Sequence, residues 1–213
     1  MERKDEVKVY QNENVYEAFN HRLEYICSYF DHLIISFSGG KDSGLMLELV
    51  HLYYESHDWM KRGIEVSVFY LDYEGNYQET KDYIERSMGK YPEFDYYHVC
   101  LPVSASCGIS MSQSTWLPWD PGHQELWLNS IPPEAICLEN QEFPFFKVGM
   151  SDYEFQSKFC QWLHREKEAV RTAVLVGIRA QESLNRYNAV TREETFSRFG
   201  TTNYSHRISQ DVF

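Results

Sequence analysis

The stretch Ile34-Ile35-Ser36-Phe37-Ser38-Gly39-Gly40-Lys41-Asp42-Ser43-Gly44 reads as a strand that turns through a glycine pair straight into a helix. His32 to Phe37 is a short apolar run rich in isoleucine, as in a buried strand. Leu45, Met46, Leu49, Val50 and Tyr53 then recur at helical spacing to about Glu55. Adjacent glycines permit positive φ and close approach of a ligand to the backbone, while the helix start offers unpaired N–H groups and a positive dipole end. Together they make a cradle for an anion, to which Ser38 and Ser43 add hydroxyls and Lys41 a mobile cation. A plain strand-to-helix turn with an N-cap is the bland reading of the same residues.

Outward from this point the chain alternates. Phe19, Leu23, Ile26 and Phe30 form the apolar stripe of a preceding helix over Val15 to Phe30, with Asn12 or Asn14 available as its cap. Downstream, Ile64 to Leu71 reads as a strand, Tyr77 to Met88 as a helix, Tyr96 to Leu101 as a strand, Asp152 to about Val170 as a helix and Ala173 to Ile178 as a strand. Continuous apolar strands alternating with amphipathic helices predict an α/β fold, a parallel twisted sheet with helices on both faces. Ligands of such sheets bind beyond the carboxyl ends of the strands, here the segments after Phe37, Leu71, Leu101 and Ile178. Residues 103–150 break the pattern, with five of the seven prolines and three of the five tryptophans, and are expected to form an insertion or lid. At 213 residues the whole is expected to be a single domain, 1–213, elaborated by that insertion.

The formal charge of -12 argues against unaided binding to a nucleic-acid backbone. Residues 158–207 nevertheless hold 9 basic and 5 acidic side chains, against 11 and 26 over residues 1–157, which allows a local anion site in the C-terminal third. Five cysteines at irregular spacings, without a CxxC pair, read as reduced thiols, and the eight histidines show no ligand spacing on one helix, so no protein-built transition-metal site is expected. No apolar signal core follows the charged N-terminus and no run of about 18 apolar residues occurs, so the expectation is a cytoplasmic protein without a membrane partner.

Ser38-Gly39-Gly40-Lys41-Asp42-Ser43 matches the signature of the PP-loop ATP pyrophosphatases, and the chain around it resembles the phosphoadenosine-phosphosulfate (PAPS) reductase branch. Leu71-Asp72-Tyr73-Glu74-Gly75-Asn76-Tyr77-Gln78-Glu79-Thr80 is similar to that branch's second-strand block. Val176-Gly177-Ile178-Arg179-Ala180-Gln181-Glu182-Ser183-Leu184-Asn185-Arg186 is similar to its Gly-x-Arg-x-x-x-Ser block. The fingerprints of P-loop NTPases and Rossmann dehydrogenases are absent.

The resemblance implies a Rossmann-like three-layer fold of the adenine nucleotide alpha hydrolase type, ATP or a related adenine nucleotide as ligand, and Mg²⁺. Ser36, Phe37 and Leu71 would frame the adenosine. Ser38, Gly39, Gly40, Lys41, Asp42 and Ser43 would hold the phosphates, with Arg179 and Arg186 gripping them from the third block. Lys41, Ser43 and Arg179 are the expected catalytic residues. Asp72, at the carboxyl end of its strand, could accept from a ribose hydroxyl or hold Mg²⁺ through water, or serve only its own turn.

The family's C-terminal Glu-Cys-Gly-type motif has no counterpart here, so PAPS reduction is not expected. Cys100 and Cys107 fall near the ligand edge without basic neighbours in sequence, and read as buried or semi-buried thiols. Trp116-Leu117-Pro118-Trp119-Asp120 could stack a base or pack under a long loop. The chain closes after Arg207 without the further strand and helix common in the family, as a short form or a fragment would. Two functions remain open: adenylyl transfer that activates an acceptor, linked to sulfur transfer in relatives of this branch, or a non-catalytic nucleotide-binding module acting on a partner such as a ParB-like protein.

Overall fold

The computed structural model describes residues 12–58, 63–108 and 110–177, and the backbone of 205–209. Helix α1 (Val15–Tyr29) opens on a capping box: Asn14 accepts from the Glu17 N–H at 3.0 Å while its own N–H donates to the Glu17 carboxylate at 3.1 Å. Strand β1 (His32–Phe37) leads through the glycine pair into α2 (Lys41–Ser56). Then follow β2 (Glu65–Leu71), α3 (Gln78–Ser87), β3 (Asp95–Val99), a two-residue pair β4 (Ala105–Ser106) and β5 (Thr115–Trp116), α4 (Asp152–Glu166), β6 (Thr172–Val176) and β7 (Ser205–Ser209).

The main sheet is five-stranded and parallel, in the order β3-β2-β1-β6-β7. From β1 the chain steps outward to β2 and β3, then returns through α4 to β6 on the other side. The topological switch point therefore lies between β1 and β6, the place where open α/β sheets bind ligands. Strand periodicity divides the core. Leu33, Ile35 and Phe37 of β1 pack with Val66, Val68 and Tyr70 of β2 against α1, α2 and Ile84 of α3. Ile34, Phe69, Leu71 and Val174 face the other way, onto Phe155, Phe159 and Leu163 of α4. Phe69 and Phe159 stack at 4.3 Å between ring centroids, and Phe143 of the insertion closes on Phe159 edge-on at 5.7 Å. The architecture is an α/β fold of three layers, with helices on both faces of a parallel sheet.

Several element ends differ from expectation by a residue or two, β6 closing at Val176 among them, and two of the differences have a visible cause. Helix α4 stops at Glu166 rather than near Val170, because Lys167 caps it and Glu168 takes φ 48° to turn the chain into β6. Strand β3 ends at Val99, yet its ladder continues: Cys100 N–H donates to the Ile136 carbonyl at 2.8 Å and Ile136 N–H to the His98 carbonyl at 2.7 Å. A single residue of the insertion thus pairs with the C-terminal end of β3 on the side that faces away from β2. Among the described residues no helix is long and apolar enough to cross a membrane.

Candidate functional site

The glycine turn sits at the carboxyl end of β1, and its two glycines do different things. Gly39 has φ 71°, and a Cβ placed on it would stand 2.7 Å from Ile84 Cγ1, so the packing of α3 against the turn already demands glycine. Gly40 is the N-cap of α2 with φ -82° and ψ 163°, angles open to any residue, and an added Cβ would approach only Ser38 Oγ, at 3.4 Å. Among the described residues, its chain neighbours aside, no other atom lies within 4 Å of that Cβ position. The first i→i+4 bond of α2 runs from Gly44 N–H to the Gly40 carbonyl at 2.9 Å, so the N–H groups before Gly44 lie outside the helical ladder at the positive end of the dipole.

Ser43 closes this turn. Its hydroxyl donates to the Gly40 carbonyl at 3.0 Å and accepts from the Ser38 N–H at 3.1 Å. Its single proton being spent, the 3.1 Å contact with Ser38 Oγ has Ser38 as the donor. Ser43 is 4% exposed and fully engaged, so in this state it shapes the loop. Lys41 is exposed at the first position of α2. Asp42 follows in the first turn, and its backbone with that of Ser43 lies about 3.5 Å from a Cβ built on Gly177, just past β6. The third sequence block therefore reaches the glycine turn through Gly177; Arg179 and Arg186 lie outside the described residues.

Beside the turn, at the carboxyl ends of β1 and β2, is a cavity of about 220 Å³. Ser36, Phe37, Ser38 and Leu71 line it, with the polar groups of Tyr70, Tyr73, Asn76 and Gln156. Burial pushes the Tyr70 and Tyr73 hydroxyls far up, the carboxylates of Asp72 and Asp152 adding to this, so both stay protonated. Asn76 Nδ2 donates to Tyr70 Oη at 2.8 Å, and Tyr73 Oη donates to Asp152 Oδ2 at 2.9 Å.

Asp72 points elsewhere. Its Oδ1 accepts from Glu74 N–H at 2.7 Å and Asn76 Nδ2 at 3.1 Å, its Oδ2 lies 3.0 Å from His98 Nε2, and it lines a second cavity of about 350 Å³ beyond the turn. Of the roles considered for Asp72, turn formation is the one these contacts serve. Cys100 completes a cluster in which one ligand atom each from Asp72, His98 and Cys100 lies within 4.8 Å of the others. Burial, and then the Asp72 charge, push the Cys100 thiol up, which keeps it protonated. Inspecting helices for ligand spacing misses this group, since His98 and Cys100 alternate on a strand; the only sequence signal was His-x-Cys at a strand's end, one residue pair wide.

The insertion is bolted to the same turn. The buried Glu74 carboxylate accepts from the N–H groups of Trp119 at 3.0 Å and Leu128 at 2.8 Å, and Trp119 Nε1 donates to the Asp72 carbonyl at 2.8 Å. Trp119 is 2% exposed and meets Trp127 edge-on, so of the two readings of the aromatic segment it takes packing, not base stacking.

No family model matches the chain. It is similar to the uncharacterized protein YbdN of Escherichia coli (strain K12), with 32% identity over 179 residues, covering 83% of this chain. The chain spans 41% of the length of that relative.

Proposed function

We propose that the chain is a PP-loop protein of the adenine nucleotide alpha hydrolase type that binds ATP at the switch point between β1 and β6. The observation that carries this reading is Gly40, whose backbone angles suit any residue and whose missing side chain leaves the start of α2 open among the described residues. The base and ribose would take the cavity bordered by Ser36, Phe37 and Leu71, whose apolar walls and neutral hydroxyls suit an uncharged heterocycle. The triphosphate would lie across Ser38, Gly39 and Gly40, with Lys41 on its outer oxygens and Arg179 and Arg186 arriving from beyond Gly177.

The chemistry such a site favours is adenylyl transfer. A nucleophile on the acceptor attacks the α-phosphorus, the bond from that phosphorus to the bridging oxygen breaks, and pyrophosphate leaves with the electron pair. The turn's N–H groups and Lys41 would stabilise the charge that gathers on both fragments. Ser43 would act by holding the loop open at Gly40 rather than by touching the reacting atoms. Mg²⁺ would supply further neutralisation of the phosphates. Asp72 fits it poorly, since its Oδ1 serves the turn and its Oδ2 faces an imidazole where Mg²⁺ requires oxygen, so a Mg²⁺ would arrive on the nucleotide itself.

Thermal unfolding with and without ATP and Mg²⁺ tests the reading. At a hundredfold excess over Kd the nucleotide should add about 2.7 kcal/mol, whereas NADH should add nothing. Absence of calorimetric binding at millimolar ATP by a folded chain would refute it. Intact ATP affinity with negligible pyrophosphate release would select the regulatory module over the transferase.

A further inference from the structure

Apart from the proposed nucleotide site, Asp72, His98 and Cys100 form, among the described residues, the group whose ligand atoms lie close enough together to hold a metal ion. The strand period brings them together. His98 lies in β3 and Cys100 one residue past its end, two apart and so on one face of the extended chain, and Asp72 follows Leu71, whose register partner is Val99. Each is pinned at the backbone: Asp72 N–H donates to the Val99 carbonyl at 2.9 Å, Cys100 N–H to Ile136, and the His98 carbonyl accepts from Ile136. The bonds from Glu74 and Asn76 to Oδ1 leave Oδ2 aimed at His98 Nε2. The side chains of Asp72 and His98 are about a tenth exposed and Cys100 is 1% exposed.

A buried imidazole and carboxylate lose their hydration for one mutual contact, which seldom stabilises a fold. With a thiol as third member, the set holds one oxygen, one nitrogen and one sulfur donor. Mg²⁺ and Ca²⁺ take oxygen and do not select such a set; borderline metals do.

We propose that Asp72, His98 and Cys100 bind a divalent transition metal of the Zn²⁺ class through one carboxylate oxygen, one imidazole nitrogen and one thiolate, with a fourth position open to the 350 Å³ cavity. Asp72 and His98 both line that cavity, so water or a small ligand can complete the coordination. Three protein ligands with one open position is the pattern of zinc sites that act on water or substrate. The contacts from Glu74 and Asn76 are the outer contacts that orient a ligating carboxylate. On binding, the Cys100 proton passes to solvent and His98 shifts its ring proton to Nδ1, freeing Nε2 for the metal. One proton is released per metal bound. A Cys-His-Asp nucleophile would use the same residues, but a nucleophile must reach its substrate, and Cys100 is sealed away from the cavity wall.

The test uses the whole chain, stripped with chelator, reduced and titrated with Co²⁺ without oxygen. A thiolate-to-cobalt charge-transfer band and the intense d–d bands of a low-coordinate site should saturate at one equivalent, with about one proton released at neutral pH. Excess Zn²⁺ should abolish both. Cys100→Ser should lose the charge-transfer band, and Cys100→Ser and His98→Gln should each weaken Co²⁺ binding about 100-fold or more. Because these positions are buried, X-ray absorption of the unaltered chain loaded with one Zn²⁺ supplies a reading that needs no variant: one sulfur and otherwise nitrogen or oxygen neighbours. Failure to bind stoichiometrically, a sulfur count other than one, an unchanged band in a folded Cys100→Ser protein, or rapid alkylation of Cys100 at neutral pH in the metal-free chain would each overturn the proposal.

Discussion

Two cavities flank the turn from Asp72 to Asn76, and they are built from opposite chemistry. The one at the ends of β1 and β2 is lined by hydroxyls, amides and apolar surface, beside the positive end of α2 and with no carboxylate among its described lining residues. The one beyond the turn holds Asp72, Glu74, Glu85 and Glu134, with His98 and a single lysine, Lys81. The difference has a local origin: at β1 the chain passes straight into a helix and presents N–H groups, whereas at β2 it passes into an acidic loop. The proposed anion site and the proposed metal site would then lie on one sheet edge only a few residues apart, which requires the turn between them to be rigid. Glu74 makes it so.

The largest expected effect follows from that. Glu74→Ala would leave the Trp119 and Leu128 N–H groups without their carboxylate and release the insertion from the turn. Losing two charge-assisted bonds at a buried position should cost about 3 to 5 kcal/mol in urea unfolding. If the turn truly separates the cavities, ATP affinity of the folded variant should stay within about threefold, a change under 1 kcal/mol. A parallel collapse of ATP binding would mean that the two cavities are one system.

His32 serves as a control at the far edge of the sheet. It is buried at the start of β1, with Nδ1 at 3.1 Å from Thr172 Oγ1 and Nε2 at 3.0 Å from Ser67 Oγ. Burial first, and then the Lys167 charge, lower its pKa from 6.5 to about 4. The unfolded chain therefore binds the extra proton between these values, so stability falls as pH drops from 6.5 towards 4, by up to about 3 kcal/mol. Urea midpoints across this window should show the slope, and His32→Asn should flatten it. An unchanged slope would assign the acid sensitivity to other groups.

Lys41→Ala addresses the anion side. Its stability should move by no more than about 0.5 kcal/mol, since the residue is exposed. Triphosphate affinity should fall tenfold to a hundredfold, about 1.4 to 2.8 kcal/mol, as read by calorimetry. Adenosine should bind the variant and the parent equally. Equal losses for ATP and adenosine would show that Lys41 supports the fold instead.

Most of the sheet was legible because its strands are continuous apolar runs between strong helical stripes, as His32 to Phe37 and the following Leu45, Leu49 and Val50 illustrate. The strand–glycine turn–helix geometry was legible for the same reason, being local in sequence. What escaped notice was non-local. Ile136 extends the ladder at β3 from 37 residues away, Glu74 reaches 45 and 54 residues ahead to the insertion, and Asp72 meets His98 across 26. Asp72 illustrates the limit well: its position at a strand end suggested a nucleotide role, but only register and the pleat decide which side of the turn its carboxylate faces.

The finest test of the comparison lies within the glycine pair. Gly39→Ala would place a side chain at φ 71° against Ile84, and left-handed angles alone cost about 1 to 2 kcal/mol, so that variant should lose stability whether or not ligand is present. Gly40→Ala should not. Its angles suit alanine, and the lower entropy of the unfolded chain contributes about 0.4 to 1 kcal/mol of stability. The poorer capping by alanine works against that gain, leaving a net change within about 0.5 kcal/mol. The new methyl group would meet only Ser38 Oγ among the described residues, at the start of α2 where the triphosphate is proposed to lie. ATP affinity should then fall about tenfold, with adenosine binding unchanged. A Gly40→Ala protein that binds ATP as well as the parent would move the phosphates off this helix start, and the anion half of the comparison with them.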